Sequence, residues 1–207
     1  MDRNVRYLAS ALGIVALLPA AALAQPPLAG QALVDGLRRS GYVIFFRHAA
    51  TIVSQADTAG ENLGDCQRQR NLSEEGRQQA RAIGQAFATL RIPVGQVLAS
   101  QYCRSLETAQ LAFSRVTPML DLNAVLQAAT EVERAHRVEV LKRLLATRPP
   151  AGTNTILVSH LFNIQAAADL SIAEGEAAVF EPGGTSFRLA ARVLPSEWEV
   201  LASRFGR

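Results

Sequence analysis

Two histidines and two arginines in this chain stand where the fold of an α/β protein would place its chemistry. Arg47 and His48 follow the apolar run Tyr42-Val43-Ile44-Phe45-Phe46, and Ser159 and His160 close the run Thr155-Ile156-Leu157-Val158. Arg104 comes shortly after Val97-Leu98-Ala99-Ser100. Short apolar runs of this kind read as strands, the aromatic and β-branched ones buried on both faces. In open α/β sheets ligands bind beyond the carboxyl ends of the strands, so such a fold would gather Arg47, His48, Arg104 and His160 at one edge. Two of the chain's three histidines belong to that group.

The group has a chemical logic. A neutral imidazole carries a nitrogen lone pair near neutral pH and can attack phosphorus. A guanidinium is a planar fork that matches two phosphoryl oxygens. Attack by a histidine makes a phosphohistidine, water hydrolyses it, and the surrounding cations neutralise the charge on the group in transfer. The scheme calls for no metal and no other cofactor, because Arg and His supply the positive charge. Each of these residues alone reads more simply as a satisfied polar group at a strand end. Their joint placement carries the expectation.

The elements that must position them alternate. Ala32 to Arg39 reads as a short helix stopped by Gly41, and strand 42–46 follows. Residues 49–72 form a long polar loop without period, and long loops in compact domains are usually functional or disordered. Ser73 is a good N-cap with Glu74 and Glu75 behind it, and Ala80, Ile83, Phe87 and Leu90 mark one apolar helical face. Strand 97–100, helix 104–113, helix 132–145 ended by Pro149-Pro150, strand 155–159 and helix 161–170 come next. Segments 177–180 and 187–193 read as a strand pair around Pro182-Gly183-Gly184. The alternation predicts a three-layer α/β/α sandwich with a mostly parallel sheet.

Length and composition agree with one domain. The chain has 207 residues, 49% hydrophobic and 19% charged, enough to bury a core. Residues 1–24 differ from the rest: a weakly basic start, an almost wholly apolar stretch from Tyr7 to Ala22, and the small-x-small pattern Ala22-Leu23-Ala24 before Gln25. That is the form of a cleaved secretory signal peptide. The expected organisation is therefore a leader over 1–24 and a mature domain over 25–207, periplasmic or secreted, with no stable membrane insertion after cleavage. Cleavage removes Arg3, Arg6 and Asp2, so the formal charge falls from +3 to +2, too weak to argue for a nucleic-acid or membrane partner. The two cysteines, Cys66 and Cys103, are expected to form a disulfide in an exported protein, free buried thiols being the alternative.

The motifs resemble those of the histidine phosphatase superfamily, which includes phosphoglycerate mutases and acid phosphatases. Phe45-Phe46-Arg47-His48-Ala49-Ala50-Thr51 looks like its signature strand and turn. Leu72-Ser73-Glu74-Glu75-Gly76-Arg77-Gln78-Gln79-Ala80, Ser100-Gln101-Tyr102-Cys103-Arg104-Ser105-Leu106-Glu107-Thr108-Ala109 and Val158-Ser159-His160 resemble three further segments, in the family's order. The resemblance implies a phosphoglycerate mutase-like fold and a phosphatase. In it His48 is the nucleophile, Arg47, Arg104 and His160 hold the phosphate, and Thr51 adds a hydroxyl. Ala49 departs from the family's usual glycine, and Leu161 stands where one branch keeps an acid. The mutase-like branch places a glutamate between the second arginine and the second histidine; Glu131 is the preferred candidate here, with Asp121, Glu133 and Glu176 as alternatives.

Other schemes find no support. There is no Cys-x5-Arg loop, no Gly-x-Ser-x-Gly elbow and no phosphate-binding loop ending in Gly-Lys; Lys142, the chain's lysine, sits mid-helix, and His136 reads as a surface residue. No metal-ligand spacing is present. The leading expectation is an exported phosphomonoesterase acting on a small phosphorylated substrate. By resemblance to exported relatives that act on lipopolysaccharide, that substrate is an envelope sugar phosphate. Phosphohistidine hydrolysis on a protein, a mutase, and non-catalytic binding of a phosphate ligand are the competing readings.

Overall fold

The computed structural model describes residues 26–58, 60 and 62–206, so the expected leader lies outside the described residues. In chain order the elements are α1 (Gly30–Arg39), β1 (Val43–Arg47), α2 (Glu74–Thr89), β2 (Val94–Ala99), α3 (Cys103–Phe113), β3 (Thr117–Pro118), α4 (Glu131–Ala146), β4 (Asn154–Ser159), α5 (Leu161–Ala168), β5 (Ala177–Pro182), β6 (Phe187–Val193) and α6 (Pro195–Phe205). The strands form one sheet in the order β3-β2-β4-β1-β5-β6. Its β3, β2, β4 and β1 run parallel, while β5 and β6 form an antiparallel edge.

The strands bury both faces because their side chains alternate into two cores. Ile44 and Phe46 of β1, with Ile156 and Val158 of β4, pack under Leu37 of α1, Phe87 of α2, Ala109 of α3 and Trp198 of α6. Val43, Phe45 and Leu157 face the other way, against Leu141 and Leu145 of α4 and Ile164 of α5. The result is the expected three-layer α/β/α sandwich. No helix among the described residues is long and apolar enough to cross a membrane.

Differences from the sequence-based expectation lie mainly at the edges. Residues 195–205, which carry no clear signal, form α6: Pro195 opens it and the Glu197 carboxylate accepts from Leu194 N at 2.6 Å. Trp198 anchors it, fully buried against Phe87 with ring centroids 4.8 Å apart. Truncating such a side chain to alanine costs about 3–5 kcal/mol. The short edge strand β3 has too few residues to show a period.

Two local features bring α2 and the segment after His48 together. The Ser73 hydroxyl accepts from Gly76 N at 3.0 Å, capping α2. A Cβ on Gly76 would lie 2.0 Å from the Ala50 carbonyl oxygen, so only glycine allows this approach. Ser73 N donates to that same carbonyl at 3.0 Å.

Candidate active site

The sheet register places the site. Arg47 of β1 pairs with Ser159 of β4, and Ala99 of β2 pairs with Val158 of β4, so three strands end side by side. His48 N donates to Ser159 O at 3.0 Å and Ser100 N to Val158 O at 2.9 Å, which carries the alignment one residue past the strands. His48 and His160 then face each other with ring centroids 5.5 Å apart. Both are buried, as are Arg104 and Thr51.

The hydrogen bonds set the tautomer of each histidine. Nδ1 of His48 lies 2.9 Å from Ala49 O. A carbonyl only accepts, so Nδ1 carries the proton and Nε2 keeps the lone pair. His160 is fixed the other way. The Asn123 Oδ1 accepts from Gln101 N and, at 3.1 Å, from the Ser100 hydroxyl. Having used its proton there, Ser100 Oγ must accept from His160 Nε2, 2.8 Å away. That leaves Nδ1 of His160 unprotonated in the neutral ring, and it is buried without a partner among the described residues. Burial pushes the His48 imidazole down to about 3, and the nearby Arg104, Arg47 and Arg70 push the same way. Burial, then His48 and those arginines, also holds His160 well below the usual histidine range. Both rings are therefore neutral at physiological pH.

Ala49 adopts no left-handed backbone; the non-glycine residues with positive φ among those described are Ser40, Arg91, Ser114 and Asp169. Its methyl is buried with Leu72 and Ala80, and its N–H donates to Thr108 Oγ1 at 3.1 Å. Alanine is thus compatible with the turn.

The guanidinium groups converge from three elements. Arg47 ends β1, Arg104 opens α3, and Arg70 comes from the long loop. Arg104 lies over the Tyr102 ring at 4.6 Å and pairs with Asp57 at 2.8 Å. Arg47 donates to Ile172 O at 3.1 Å and to Glu174 at 3.3 Å, and Arg70 approaches Glu174 at 3.6 Å. Glu174 also accepts from Thr51 N at 3.1 Å and Thr51 Oγ1 at 2.8 Å. The Nε atoms of Arg47, Arg70 and Arg104 are buried with no acceptor among the described residues. Burying an unpaired N–H costs about 1–3 kcal/mol, so three of them form a receptor for an anion.

Sequence reasoning missed Arg70, Glu174 and Asp57. Arg70 directly precedes the Asn71-Leu72-Ser73 segment, and Glu174 precedes Gly175, so both flank residues that were visible. Gly175, at φ +75°, donates its N–H to His48 O at 2.9 Å. This turn sends Glu174 to the arginines and its neighbour Glu176 elsewhere.

The carboxylates expected as the acid are not brought to the histidines. Glu131 is the first residue of α4, with an 80% exposed side chain that pairs with Arg134 at 3.5 Å. A first-turn glutamate is favoured there by the helix dipole, which accounts for it without chemistry. Glu176 is buried against Arg192 at 2.7 Å and Ala173 N at 2.7 Å. Asp121 faces His136 at 3.2 Å. Glu133 binds Arg137 and accepts from Ala129 N at 2.8 Å.

Cys66 and Cys103 form a disulfide with Cα atoms 5.7 Å apart. It ties the long loop, one residue from Arg104, to the start of α3.

Comparison with known proteins agrees with this geometry. Residues 43–127 match the model of the histidine phosphatase superfamily (branch 1). No curated protein matches the sequence. Among solved structures, a mycobacterial glucosyl-3-phosphoglycerate phosphatase with inorganic phosphate aligns at TM-score 0.53 and 16% identity, covering 75% of this chain and 99% of that one. A phosphoserine phosphatase from Entamoeba histolytica aligns at 0.51 and 13% identity, covering 73% and 95%. The protein histidine phosphatase SixA, complexed with tungstate, aligns at 0.50 and 13% identity, covering 75% and 98%. At these identities the likeness is one of fold.

Proposed function

We propose that this chain, matched over residues 43–127 by the histidine phosphatase superfamily model, is an exported phosphomonoesterase working through a phosphohistidine on His48. The observation that carries the reading is the set of buried, unpaired Nε–H groups on Arg47, Arg70 and Arg104, three arginines whose charges act on a histidine with a free Nε2 lone pair. A phosphoryl group accepts from the three guanidinium N–H groups, and its charge is balanced by the arginines.

In the first step His48 Nε2 forms a bond to phosphorus while the ester P–O bond breaks, its electron pair leaving on the alcohol oxygen. That oxygen takes a proton from solvent. In the second step a water oxygen attacks phosphorus, the P–N bond breaks, and inorganic phosphate leaves. The Nδ1–H bond to Ala49 O orients the ring through both steps. His160, held by Ser100, keeps its Nδ1 lone pair on the pocket, where it can accept from a protonated phosphoryl oxygen. Glu174 positions Arg47, Arg70 and Thr51. Export through the leader over 1–24 would place the enzyme where disulfides persist and where an envelope sugar phosphate is available as substrate.

One observation favours a second reading. Glu131 faces solvent and no other expected acid reaches the histidines. A substrate whose leaving atom needs no proton donor, such as a phosphohistidine side chain, suits that arrangement.

The test is hydrolysis of phenyl phosphate by the mature protein with His48→Ala as the blank. Turnover is expected to vanish in the variant and to survive EDTA, since the arginines supply the charge. Rapid quench is expected to trap an acid-labile, base-stable phosphoryl group on His48. Full activity in His48→Ala would sink the mechanism.

A further inference from the structure

Beside Tyr102 lies a cavity of about 430 Å³. Its walls are Gln101, Tyr102, Asn123, Gln127, Glu133 and Arg137, with Leu63 and Leu120 at its margin. The cavity adjoins the phosphoryl site through two of these residues. Tyr102 meets His160 edge-on with centroids 5.0 Å apart and carries Arg104 on its face. Asn123 binds the same Ser100 hydroxyl that holds His160. A phosphate ester bound at His48 must direct its alcohol somewhere, and this cavity has room for one next to the residues that hold His160 and Arg104. It holds the volume of roughly 14 liquid waters, enough for a pyranose ring.

The wall chemistry is specific. Arg137 is buried, donates to Ala124 O and is paired with Glu133, so its charge is already matched. Glu133 is itself bound to Arg137 and to Ala129 N, and its carboxylate would repel an anionic group. No unpaired cation lines the cavity among the described residues, and the charged pair is neutral overall. What remains are the amide of Gln127 and the phenol of Tyr102, which can both donate and accept, and the amide nitrogen of Gln101, which donates. A hydroxyl both donates and accepts, so several hydroxyls on one ring match this set. Leu63 and Leu120 add small apolar patches suited to the C–H face of a sugar.

We propose that this cavity receives the alcohol half of the phosphate ester and that the alcohol is an uncharged, polyhydroxylated group of sugar size. The inference rests on the phosphatase reading above and assigns its leaving-group subsite. Tyr102 is the wall shared by the two halves, and Gln127 and Gln101 read the hydroxyls.

The experiment compares kcat/KM for a panel of hexose phosphates, ethyl phosphate, phenyl phosphate and a phosphohistidine peptide. It uses wild type, Gln127→Leu, which removes the amide, and Leu120→Trp, which fills the cavity from an exposed position. The best hexose phosphate is expected to exceed ethyl phosphate by at least ~10-fold, as a few well-placed hydrogen bonds allow. Both variants are expected to cut that ratio towards unity while orthovanadate, which has no alcohol half, still inhibits. A hexose advantage that is absent, or that survives both substitutions, would overturn the assignment, as would a phosphohistidine peptide outpacing every sugar phosphate. Turnover of phenyl phosphate without hexose preference would bring down this inference alone. No turnover of phenyl phosphate would bring down the phosphatase reading and this one with it.

Discussion

Asp57 and Arg104 form an ion pair at 2.8 Å, with the Arg104 side chain only 5% exposed. The carboxylate of the long loop thus occupies the guanidinium that a phosphoryl group would claim. Arg104 also donates to Arg70 O at 3.3 Å from the same loop. An incoming phosphate competes with a tethered anion for its main contact. Asp57→Asn is expected to tighten inhibition by orthovanadate by roughly tenfold, equivalent to about 1.4 kcal/mol. Weaker inhibition in the variant would show that Asp57 assists anion binding.

Arg104 itself supports the charge of the group in transfer. Arg104→Ala leaves that charge unpaired in a buried site, and a loss of at least ~10²-fold in kcat is expected, by analogy with deleting one oxyanion donor. Arg104→Lys restores a point charge without the fork and is expected to rescue only in part. A small rise in KM with kcat intact would remove Arg104 from the phosphoryl pocket.

Glu131 and Glu174 can be told apart by one substitution each. Glu131→Gln alters a solvent-facing helix start and is expected to leave turnover within about twofold on aryl and alkyl phosphates alike. Glu174→Gln keeps the shape but weakens the charge-assisted bonds to Arg47 and Thr51. A loss of roughly tenfold, mostly in KM, is expected from the misplaced guanidinium groups. Selective loss on alkyl phosphates in Glu131→Gln would restore Glu131 as the acid.

The buried histidines set the pH response. The folded protein holds His48 neutral to about 3, whereas the free imidazole protonates near 6.5. Between those values the unfolded chain binds more protons, so stability is complete above about 6.5 and falls as pH drops towards 3. Each such histidine contributes a slope of about 1.4 kcal/mol per pH unit, and His160 acts in the same direction. Denaturant titrations at pH 7, 5.5 and 4 check the sign. The nucleophile stays unprotonated across that range, so kcat/KM, corrected for substrate ionisation, is expected to show no acid limb near 6.5. A limb at that pH would mean that His48 titrates as an exposed imidazole.

The Cys66–Cys103 disulfide closes a loop with a sequence separation of 37, worth about 4 kcal/mol in the chain-entropy model. The bridge also anchors the long loop of residues 49–72, which carries Asp57 and Arg70. Reduction is expected to lower Tm and to raise KM together, because the bridge restrains both the unfolded chain and the segment facing Arg104. A lower Tm with KM unchanged would confine the bridge to stability.

The sequence by itself determined the sandwich, the strand ends and the positions of Arg47, His48, Arg104 and His160. These are local consequences: a short apolar run declares a buried strand, and the polar residue after it stands at a strand end whatever the rest does. Even the Cys66–Cys103 pairing was legible, as a loop cysteine beside the residue preceding Arg104. Tertiary structure alone decided which carboxylates meet those residues. Glu174 reaches Arg47 and Thr51 because Gly175 turns the chain beneath His48, and Asp57 reaches Arg104 because an aperiodic loop folds back across the sheet edge. Glu131, by contrast, begins a helix whose first turn faces solvent. Periodicity carries no information about a path through a loop. The partners of the arginines therefore follow from contacts between segments 47 to 127 residues apart.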